Sequence, residues 1–307
     1  MPNTAIDPHT RPLGSLLSEG GLSVPRYQRA HSWKRPQVQQ LFADLWSAYA
    51  EGANEYFLGA MVVNQADGSK QIVDGQQRLA TFSILLAAIR DLPEAAAPLK
   101  EFIQRHLSRQ DIDGRHTPTL VLGAADEERF RRSITAPPSD SEHDAPGEMP
   151  RSASANVYAR TSQWRTVDGY RTVAVELELA LSREQDRAAS GRELAKFLLE
   201  RVYVIYITVP SDDLAYTVFE TLNERGLGLS VSDLLKNHLL SHAGENLTDM
   251  ERRWNNVERS LDPEVIPKFL RHQYMADHGK ISTKALYRTL KGLFLRRQVS
   301  ELKVCDS

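Results

Sequence analysis

The stretch QIVDGQQRLATFSILL, residues 71–86, changes its hydrophobic pattern in the middle. Its first part contains the β-branched pair Ile72 and Val73, which favours a strand. Apolar residues recur at helical spacing from Leu79 onward. The polar group DGQQR, residues 74–78, stands between the two patterns. The stretch therefore predicts a strand that runs through a glycine-bearing turn into the N-terminus of a helix.

The residues before this stretch predict the partner strand of a hairpin. Two β-like runs, Tyr56–Asn64 and Lys70–Val73, are separated by the pair Asp67-Gly68, whose preference for positive φ marks a hairpin turn. Upstream of the hairpin, apolar side chains recur at three- and four-residue steps after Pro36, a residue suited to the first turn of a helix. These patterns predict a helix followed by a two-stranded unit.

The rest of the chain is predicted to be mainly helical, with one further strand. Residues 91–200 give a helical pattern that is interrupted at Pro137-Pro138, and the stretch from there to Ser154, rich in Ser, Asp, Pro and Gly, predicts a mobile surface loop. Val202–Val209 is β-branched and aromatic, which is typical of a buried strand. We therefore predict an α+β fold in which a small mixed sheet is embedded in a mainly helical body.

The composition is that of a globular protein and excludes several function classes. Hydrophobic residues make up 41% and charged residues 25% of the 307 residues, which argues against a disordered or fibrous chain. Cys305 is the only cysteine, so the chain has no internal disulfide and no multi-thiolate metal centre. It shows no basic-then-apolar export pattern and no apolar run long enough to span a bilayer. We expect a cytoplasmic protein that does not contact a membrane.

Charge is unevenly distributed along the chain. The formal net charge is −2, yet residues 251–304 carry twelve Lys or Arg side chains against six acidic ones. Such a segment predicts a DNA-facing surface, although solvated helix faces have the same composition. We predict one domain over residues 1–240, with a helical insertion at about 91–200, followed by a helical basic segment over residues 241–307.

The DGQQR turn, residues 74–78, has the parts of a phosphate site. Gly75 lets the backbone approach a ligand, and the first N–H groups of the helix attract anions. Arg78 is a candidate to clamp phosphate oxygens, and Asp74 to hold Mg²⁺ or orient water. Gln76 and Gln77 are candidates to position an attacking water or polar ligand atoms. An alternative needs no ligand, because Asp74 with Gln77 three residues later also fits a helix cap.

A second polar cluster, over residues 219–237, is a candidate second wall of the same pocket. Its pattern predicts a helix, a glycine-bearing turn and another helix. The polar residues that exceed what helix capping requires are nucleotide-binding candidates, and ordinary structural hydrogen bonding is the alternative for each. They are Asn223, Arg225, Lys236 and Asn237.

Residues 12–35 predict a loop-rich entry to the first helix. The end of this stretch, residues 24–33, which we call the entry loop, offers a third cluster. Tyr27, Gln28 and Arg29 beside Trp33 combine aromatic surface, an amide and a guanidinium, a set that stacks on a base and holds phosphate. The alternative is that the aromatic residues are buried anchors of a docked loop. The chain has no G-x-x-x-x-G-K-[ST] loop, so nucleotide binding of the Walker type is excluded.

These clusters in this order resemble the N-terminal domain of the GmrSD-type family of modification-dependent restriction proteins. The stretches that carry the resemblance are VPRYQRAHSW, EYFLGAMVVN, QIVDGQQRLATFSILL and FETLNERGLGLSVSDLLKNHLL, and weaker similarity continues through WNNVERSL and FLRHQYMADHGK. DGQQR together with FETLN-x-RG is the most specific part. The resemblance covers roughly residues 12–280, and it implies a ParB-like, sulfiredoxin-like sheet.

The resemblance also implies a function. The DGQQR turn is expected to hydrolyse a nucleoside triphosphate, with GTP as the expected substrate. The Mg²⁺ that Asp74 is a candidate to hold is the expected cofactor. The entry motif at Tyr27, Gln28 and Arg29 is expected to lie near the same pocket and to sense modified DNA. The similarity is closest to family members that respond to phosphorothioate-modified DNA, although members that act on glucosylated DNA share the motifs.

Two departures from the family pattern limit this expectation. His31 stands where an aromatic residue commonly precedes the tryptophan by two, which puts a stacking contact there in doubt. No His-Asn-His nuclease motif occurs before Ser307, so we expect no nuclease activity from these residues.

The expected partners are modified double-stranded DNA, a nucleoside triphosphate, a C-terminal nuclease domain and, in a homo-oligomer, a second copy of the chain. The rival interpretations are a non-catalytic DNA reader and a structural module that positions the nuclease.

Overall fold

The computed structural model describes two compact units. The first unit comprises residues 1–26 and 30–219, and the second comprises residues 27–29 and 220–307. The residues that the structure describes are 6–25, 28, 30–65, 68–123, 126–140, 143–148, 157–211, 214–215, 218, 235–236, 239–240, 243, 246–261, 265–282, 285–286 and 289–290.

The first unit combines strands and helices along its whole length. Its strands are β1 (Asp7–Pro12), β2 (Leu22–Ser23), β3 (Tyr56–Asn64), β4 (Lys70–Asp74), β5 (Ser108–Gln110), β6 (His116–Pro118), β7 (Leu120–Val121) and β8 (Val202–Val209). Its helices are α1 (Leu13–Glu19), α2 (Arg35–Ala50), α3 (Gln76–Arg90), α4 (Ala97–Leu107), α5 (Glu127–Phe130), α6 (Val157–Leu181) and α7 (Arg187–Glu200), and Arg131–Thr135 forms a π-helical turn.

Six of these strands form one mixed sheet in the order β1-β8-β3-β4-β2-β7. Strands β3 and β4 pair antiparallel, which confirms the predicted hairpin, and the predicted strand at Val202–Val209 pairs parallel with β3. Residues 12–35, predicted as a loop-rich entry, contain helix α1 and strand β2, so that prediction is wrong for residues 13–19 and 22–23. Strand β7 lies at the sheet edge, parallel to β2, within a range predicted to be mainly helical. A strand of two residues is too short to show an alternating pattern. The prediction of a mixed sheet in a mainly helical body is confirmed, and its ParB-like type stays a prediction.

Helix α3 is the central helix of the first unit. Every residue of α3 except Arg78 is buried, including Phe82, Ile84 and Leu86. A helix that is apolar all round belongs inside a core, and its side chains contribute to the same hydrophobic cluster as those of α1, α2, α4, α6 and α7. Because α3 is packed on every side, the turn that precedes it is joined directly to the core of the first unit. Arg78 is the one residue of this helix that reaches the surface.

The C-terminal end of α3 is fixed by a buried arginine. Arg90 is 1% exposed, and its guanidinium is held on one edge by the carboxylate of Asp91, with N–O distances of 2.7 and 3.1 Å. Asp91 also accepts a hydrogen bond from the Tyr170 hydroxyl. The Nη1 atom of Arg90 donates to Gln104 Oε1 and to the carbonyl oxygens of Ile134 and Ala136.

This network predicts a large stability effect. Replacing Arg90 by methionine removes the charged partner of the Asp91 carboxylate and the donor to two carbonyl groups, and we expect the free energy of unfolding to fall by about 3–5 kcal/mol. Urea denaturation followed by circular dichroism measures the change. The exposed Arg105 on α4 provides a matched control, for which Arg105→Met is expected to change stability by less than about 0.5 kcal/mol. Equal effects of the two substitutions would contradict this interpretation.

The second unit contains helices α8 (Leu247–Ser260) and α9 (Ile266–His278). Met250 and Trp254 are buried and lie one turn apart on α8, so they share a face of that helix. In the basic segment, Lys268 and Lys280 are exposed, and the DNA-facing surface there stays a prediction. Among the described helices of both units, none combines the length and the apolar character needed to cross a membrane.

Candidate functional site

The DGQQR turn joins strand β4 to helix α3, as the sequence predicts. Strand β4 ends at Asp74, and α3 begins at Gln76. Gly75 between them has φ of 97°, and a Cβ atom there would lie 3.2 Å from the Met61 side chain. Both the left-handed backbone and the close approach of Met61 require glycine at this position.

The start of α3 leaves several amides without a partner inside the helix. Its first backbone hydrogen bond runs from Leu79 N–H to the carbonyl of Gly75, so the N–H groups of residues 76–78 have no acceptor within the helix. The N-cap is Gly75, and no side chain caps the helix. The alternative of a capping pair made by Asp74 and Gln77 therefore does not describe this turn, and a helix start of this kind attracts anions.

Arg78 lies against the backbone of strand β3. Its Nη1 donates to the carbonyl oxygen of Leu58 at 3.2 Å, and its Nη2 to that of Ala60 at 2.7 Å. Gly59 lies between the two acceptors with φ of 119°, and a Cβ atom there would be 2.0 Å from Nη1. The register of β3 against β8 shifts between Phe57 and Gly59, which is a β-bulge. The bulge thus forms the seat of Arg78, by which we mean the surface at Leu58, Gly59 and Ala60 that the guanidinium contacts.

Gly59 is a site residue that the sequence reasoning missed. It stands alone inside the strand pattern of EYFLGAMVVN. A glycine in that position signals a bulge or the close approach of another group, so the signal was present. The sequence does not show, however, which side chain approaches.

Asp74 and Arg78 pair with each other. The distance between Arg78 Nη2 and Asp74 Oδ2 is 3.3 Å, and both side chains are 29% exposed. The three bonds of Arg78 use three of the five N–H donors of a guanidinium. Its Nε–H and one Nη1–H have no acceptor among the residues that the structure describes. The arginine is thus oriented by β3 and Asp74, with two donors left for a ligand.

The Gln77 side chain reaches the entry loop. Its Oε1 accepts a hydrogen bond from the backbone N–H of Ser32 at 2.9 Å, and its Nε2 donates to the carbonyl oxygen of Ala30 at 3.3 Å. Gln77 is 8% and Gln76 is 6% exposed, so both amides are buried. Gln77 therefore links the DGQQR turn, to which it belongs, to the entry loop.

Asp126 contacts the entry loop from another segment and was not identified from the sequence. Its Oδ2 accepts a hydrogen bond from the backbone N–H of His31 at 2.6 Å. The residue is 2% exposed, and its Oδ1 has no hydrogen-bond partner among the described residues. Burial raises the pKa of the Asp126 carboxyl to about 7, although the bond from His31 opposes the shift. No local motif marks this aspartate, which stands in an ordinary acidic stretch.

A comparison with known protein families identifies the chain. Residues 13–240, more than half of its length, match the GmrSD restriction endonuclease, N-terminal domain. This chain belongs to the GmrSD family. The matched range of this GmrSD domain contains the entry loop, the DGQQR turn and the second polar cluster. The chain is therefore a component of a restriction system. No curated protein matches it.

The remaining candidate residues of this GmrSD domain are only partly described. Tyr27, Arg29, Asn223, Arg225 and Asn237 lie outside the described residues, and their roles stay predictions. The other three candidates can be placed. Gln28 and Lys236, in the second unit, are buried, whereas Trp33, in the first unit, is half-buried and packs against the hydrophobic core.

The DGQQR turn offers the one carboxylate that a nucleotide-bound magnesium ion would need. Among the described residues no group of three or more His, Cys, Asp or Glu side chains is arranged to hold a metal ion. Asp74 is the one carboxylate of the turn. Nucleotide-bound Mg²⁺ takes most of its ligands from phosphate and water and needs only one or two carboxylates.

The buried Asp126 predicts a pH-dependent stability. Below about pH 4 the carboxyl is protonated in both the folded and the unfolded chain, whereas between pH 4 and 7 only the folded chain keeps the proton. The free energy of unfolding therefore falls as the pH rises through this window. Asp126→Asn removes the titration and keeps an acceptor for His31. From about pH 5 to pH 8 we expect the free energy of unfolding of wild type to fall by roughly 3 kcal/mol more than that of the variant. Urea denaturation at each pH measures both values.

The difference between the two proteins isolates this residue from other titrating groups. Each protein is measured at both pH values in the same buffer system, so that shared contributions cancel. Equal pH dependence of wild type and Asp126→Asn would contradict the burial of an ionisable carboxyl at this position.

Proposed function

We propose that this chain is the nucleotide-hydrolysing and DNA-sensing domain of a restriction protein, with GTP as substrate and phosphorothioate-modified DNA as the stimulus. The observation that carries the proposal is the position of Arg78. It is the one residue of α3 that is not buried, it stands in the first turn of the helix, and it is oriented by the Gly59 bulge. A preorganised arginine in the first turn of a helix is suited to a phosphoryl group.

The chain's own residues can perform three tasks in this proposal. The amides at the start of α3 bind phosphate oxygens, and the Nε–H and Nη1–H donors of Arg78 stabilise the charge on the transferred phosphoryl group. Asp74 holds Arg78 in place before the nucleotide arrives. Mg²⁺ bound with the nucleotide neutralises phosphate charge, and Asp74 is the residue that would hold it. Gln76, the first residue of α3, is the remaining candidate to orient water.

The coupling to DNA is part of the same proposal. The family resemblance assigns Tyr27, Gln28 and Arg29 to the recognition of modified DNA, and Trp33 stands beside them as an aromatic candidate. The basic segment after residue 250 supplies positive charge for the DNA backbone. Binding of DNA and nucleotide is proposed to shift the domain between two conformations that control a C-terminal nuclease. Such a shift requires that each ligand prefer one conformation.

Phosphate release by the 307-residue chain tests the proposal. The chain is incubated with Mg²⁺ and either GTP or ATP, alone or with a phosphorothioate, a glucosylated or an unmodified duplex of one sequence. We expect GTP hydrolysis that the phosphorothioate duplex raises above the level with the unmodified duplex. Stimulation by the glucosylated duplex alone would replace the proposed modification, and preference for ATP would replace the proposed nucleotide.

A second candidate function is a non-catalytic reader, that is, a domain that binds the phosphate of modified DNA at the same turn and hydrolyses nothing. The pairing of Asp74 with Arg78 favours it, because a carboxylate 3.3 Å from the guanidinium is engaged and does not activate water. Absence of phosphate release under every condition, together with retained binding of the modified duplex, would establish the reader and refute hydrolysis.

A further inference from the structure

Two side chains from distant segments hold three successive residues of the entry loop. Gln77, at the start of α3, bonds the backbone of Ala30 and Ser32, and Asp126 bonds the backbone N–H of His31 between them. We call these two side chains the entry-loop clamp. All of its members lie in the first unit.

The clamp fixes the Gln77 side chain relative to the loop. A side-chain amide that accepts a bond through oxygen and donates one through nitrogen cannot reverse its orientation without losing both bonds. Because Gln77 is buried, water does not replace those bonds at low cost. A displacement of the first turn of α3 must therefore move residues 30–32 or break the contact.

Asp126 holds the loop from a segment that does not belong to the DGQQR turn. It is the N-cap residue of helix α5, and the one hydrogen bond of its side chain among the described residues is accepted from the His31 N–H. The loop is thus supported on one side by a residue adjacent to Arg78 and on the other by a residue of an independent segment. Residues 27–29, the proposed DNA-sensing motif, directly precede Ala30 in the chain.

We propose that Gln77 is the positioning residue that couples the DGQQR turn to the entry loop, with Asp126 as the anchor against which the loop moves. The inference rests on the proposed function, because it concerns the nucleotide and the modified DNA assigned there. Nucleotide binding at the start of α3 changes the position of the Gln77 amide, and the loop transmits this change to the binding of modified DNA. Linkage requires the converse effect of DNA on nucleotide affinity to be equal.

The coupling ratio tests this inference. Fluorescence anisotropy on the 307-residue chain measures the dissociation constant of a phosphorothioate duplex twice, without nucleotide and with a non-hydrolysable GTP analogue plus Mg²⁺. The coupling ratio is the first dissociation constant divided by the second. A uniform loss of affinity cancels in this ratio, so a direct effect of a substitution on DNA binding does not change it. We expect a wild-type ratio at least about 5-fold away from one and a Gln77→Met ratio within about 2-fold of one.

Matched variants separate coupling from folding. Gln110 is an exposed glutamine on β5, and Gln110→Met is expected to keep the wild-type ratio. Asp126→Asn keeps an acceptor for the His31 N–H and is expected to keep the ratio, whereas Asp126→Ala removes the acceptor and is expected to reduce it. A merely structural role of the clamp would lower the stability of Gln77→Met and Asp126→Ala and leave their ratios unchanged.

The outcomes distinguish this inference from the proposed function. If wild type binds both probes and Gln77→Met keeps the wild-type ratio, the inference is overturned and the proposed function stands. A wild-type ratio of one despite binding of both probes also overturns the inference. If wild type binds no nucleotide, the proposed function is refuted and the coupling with it.

Discussion

Replacing Arg78 by alanine is expected to lower kcat/KM for GTP hydrolysis by about 10²- to 10³-fold, the usual effect of removing one preorganised donor from a developing negative charge. The arginine is already oriented by the carbonyls of Leu58 and Ala60, so little reorganisation is needed when the phosphoryl group arrives. Phosphate release at several GTP concentrations measures the change, and circular dichroism verifies that the variant is folded.

Arg78→Lys is the control for charge. Lysine keeps the positive charge and loses the planar set of donors that contacts β3, so we expect it to recover only a small part of the activity. Activity of Arg78→Lys near that of wild type would show that charge alone suffices. Activity of Arg78→Ala near that of wild type would exclude Arg78 from the chemistry.

Gly59→Ala is expected to have the second large effect, although this residue contacts no nucleotide in the proposal. The added Cβ would lie 2.0 Å from Arg78 Nη1, which displaces the guanidinium from its seat. We expect a loss of GTP hydrolysis approaching that of Arg78→Ala. The positive φ adds a strain of about 1–3 kcal/mol to the folded state, measurable by urea denaturation.

A double-mutant cycle separates these two effects. When Arg78 is already alanine, the added methyl at residue 59 meets no guanidinium, so Gly59→Ala should cause only backbone strain and no further loss of activity. Gly52 is the matched control, because its φ is also positive, at 70°, and a Cβ there meets nothing within 4 Å. Gly52→Ala should lower stability and keep GTP hydrolysis. Equal loss of activity in Gly59→Ala and Gly52→Ala would contradict the seating of Arg78.

The parts of the fold that the sequence predicts are those encoded locally. The hairpin, the strand at Val202–Val209 and the turn from strand to helix at Gly75 follow from side-chain alternation, β-branching and glycine, and the structure contains all of them. Strands β2, β5, β6 and β7 were missed, because two or three residues carry no periodic signal. Strand β1 was missed because its two prolines disfavour a strand prediction, although proline is tolerated at a sheet edge. The amphipathic pattern expected of α3 also understated its burial, which depends on helices that pack on every side of it.

The long-range contacts of the site were beyond sequence reasoning. The DGQQR residues were identified by type and spacing, but nothing in the sequence indicates that Arg78 bonds the carbonyls on either side of Gly59, 18 to 20 residues away. The contact of Asp126 with His31 spans 95 residues. Such contacts depend on how the elements pack, and an aspartate in an ordinary acidic stretch gives no sign of them.

The position of a bound nucleotide tests the central claim most directly. A crystal structure of the chain with a non-hydrolysable GTP analogue and Mg²⁺ measures the distances from the phosphate oxygens to Arg78 and to the N–H groups of residues 76–78. We predict at least one phosphate oxygen within hydrogen-bond distance, about 3.2 Å or less, of both. A nucleotide bound elsewhere, with Arg78 still bonded only to Leu58, Ala60 and Asp74, would contradict the account.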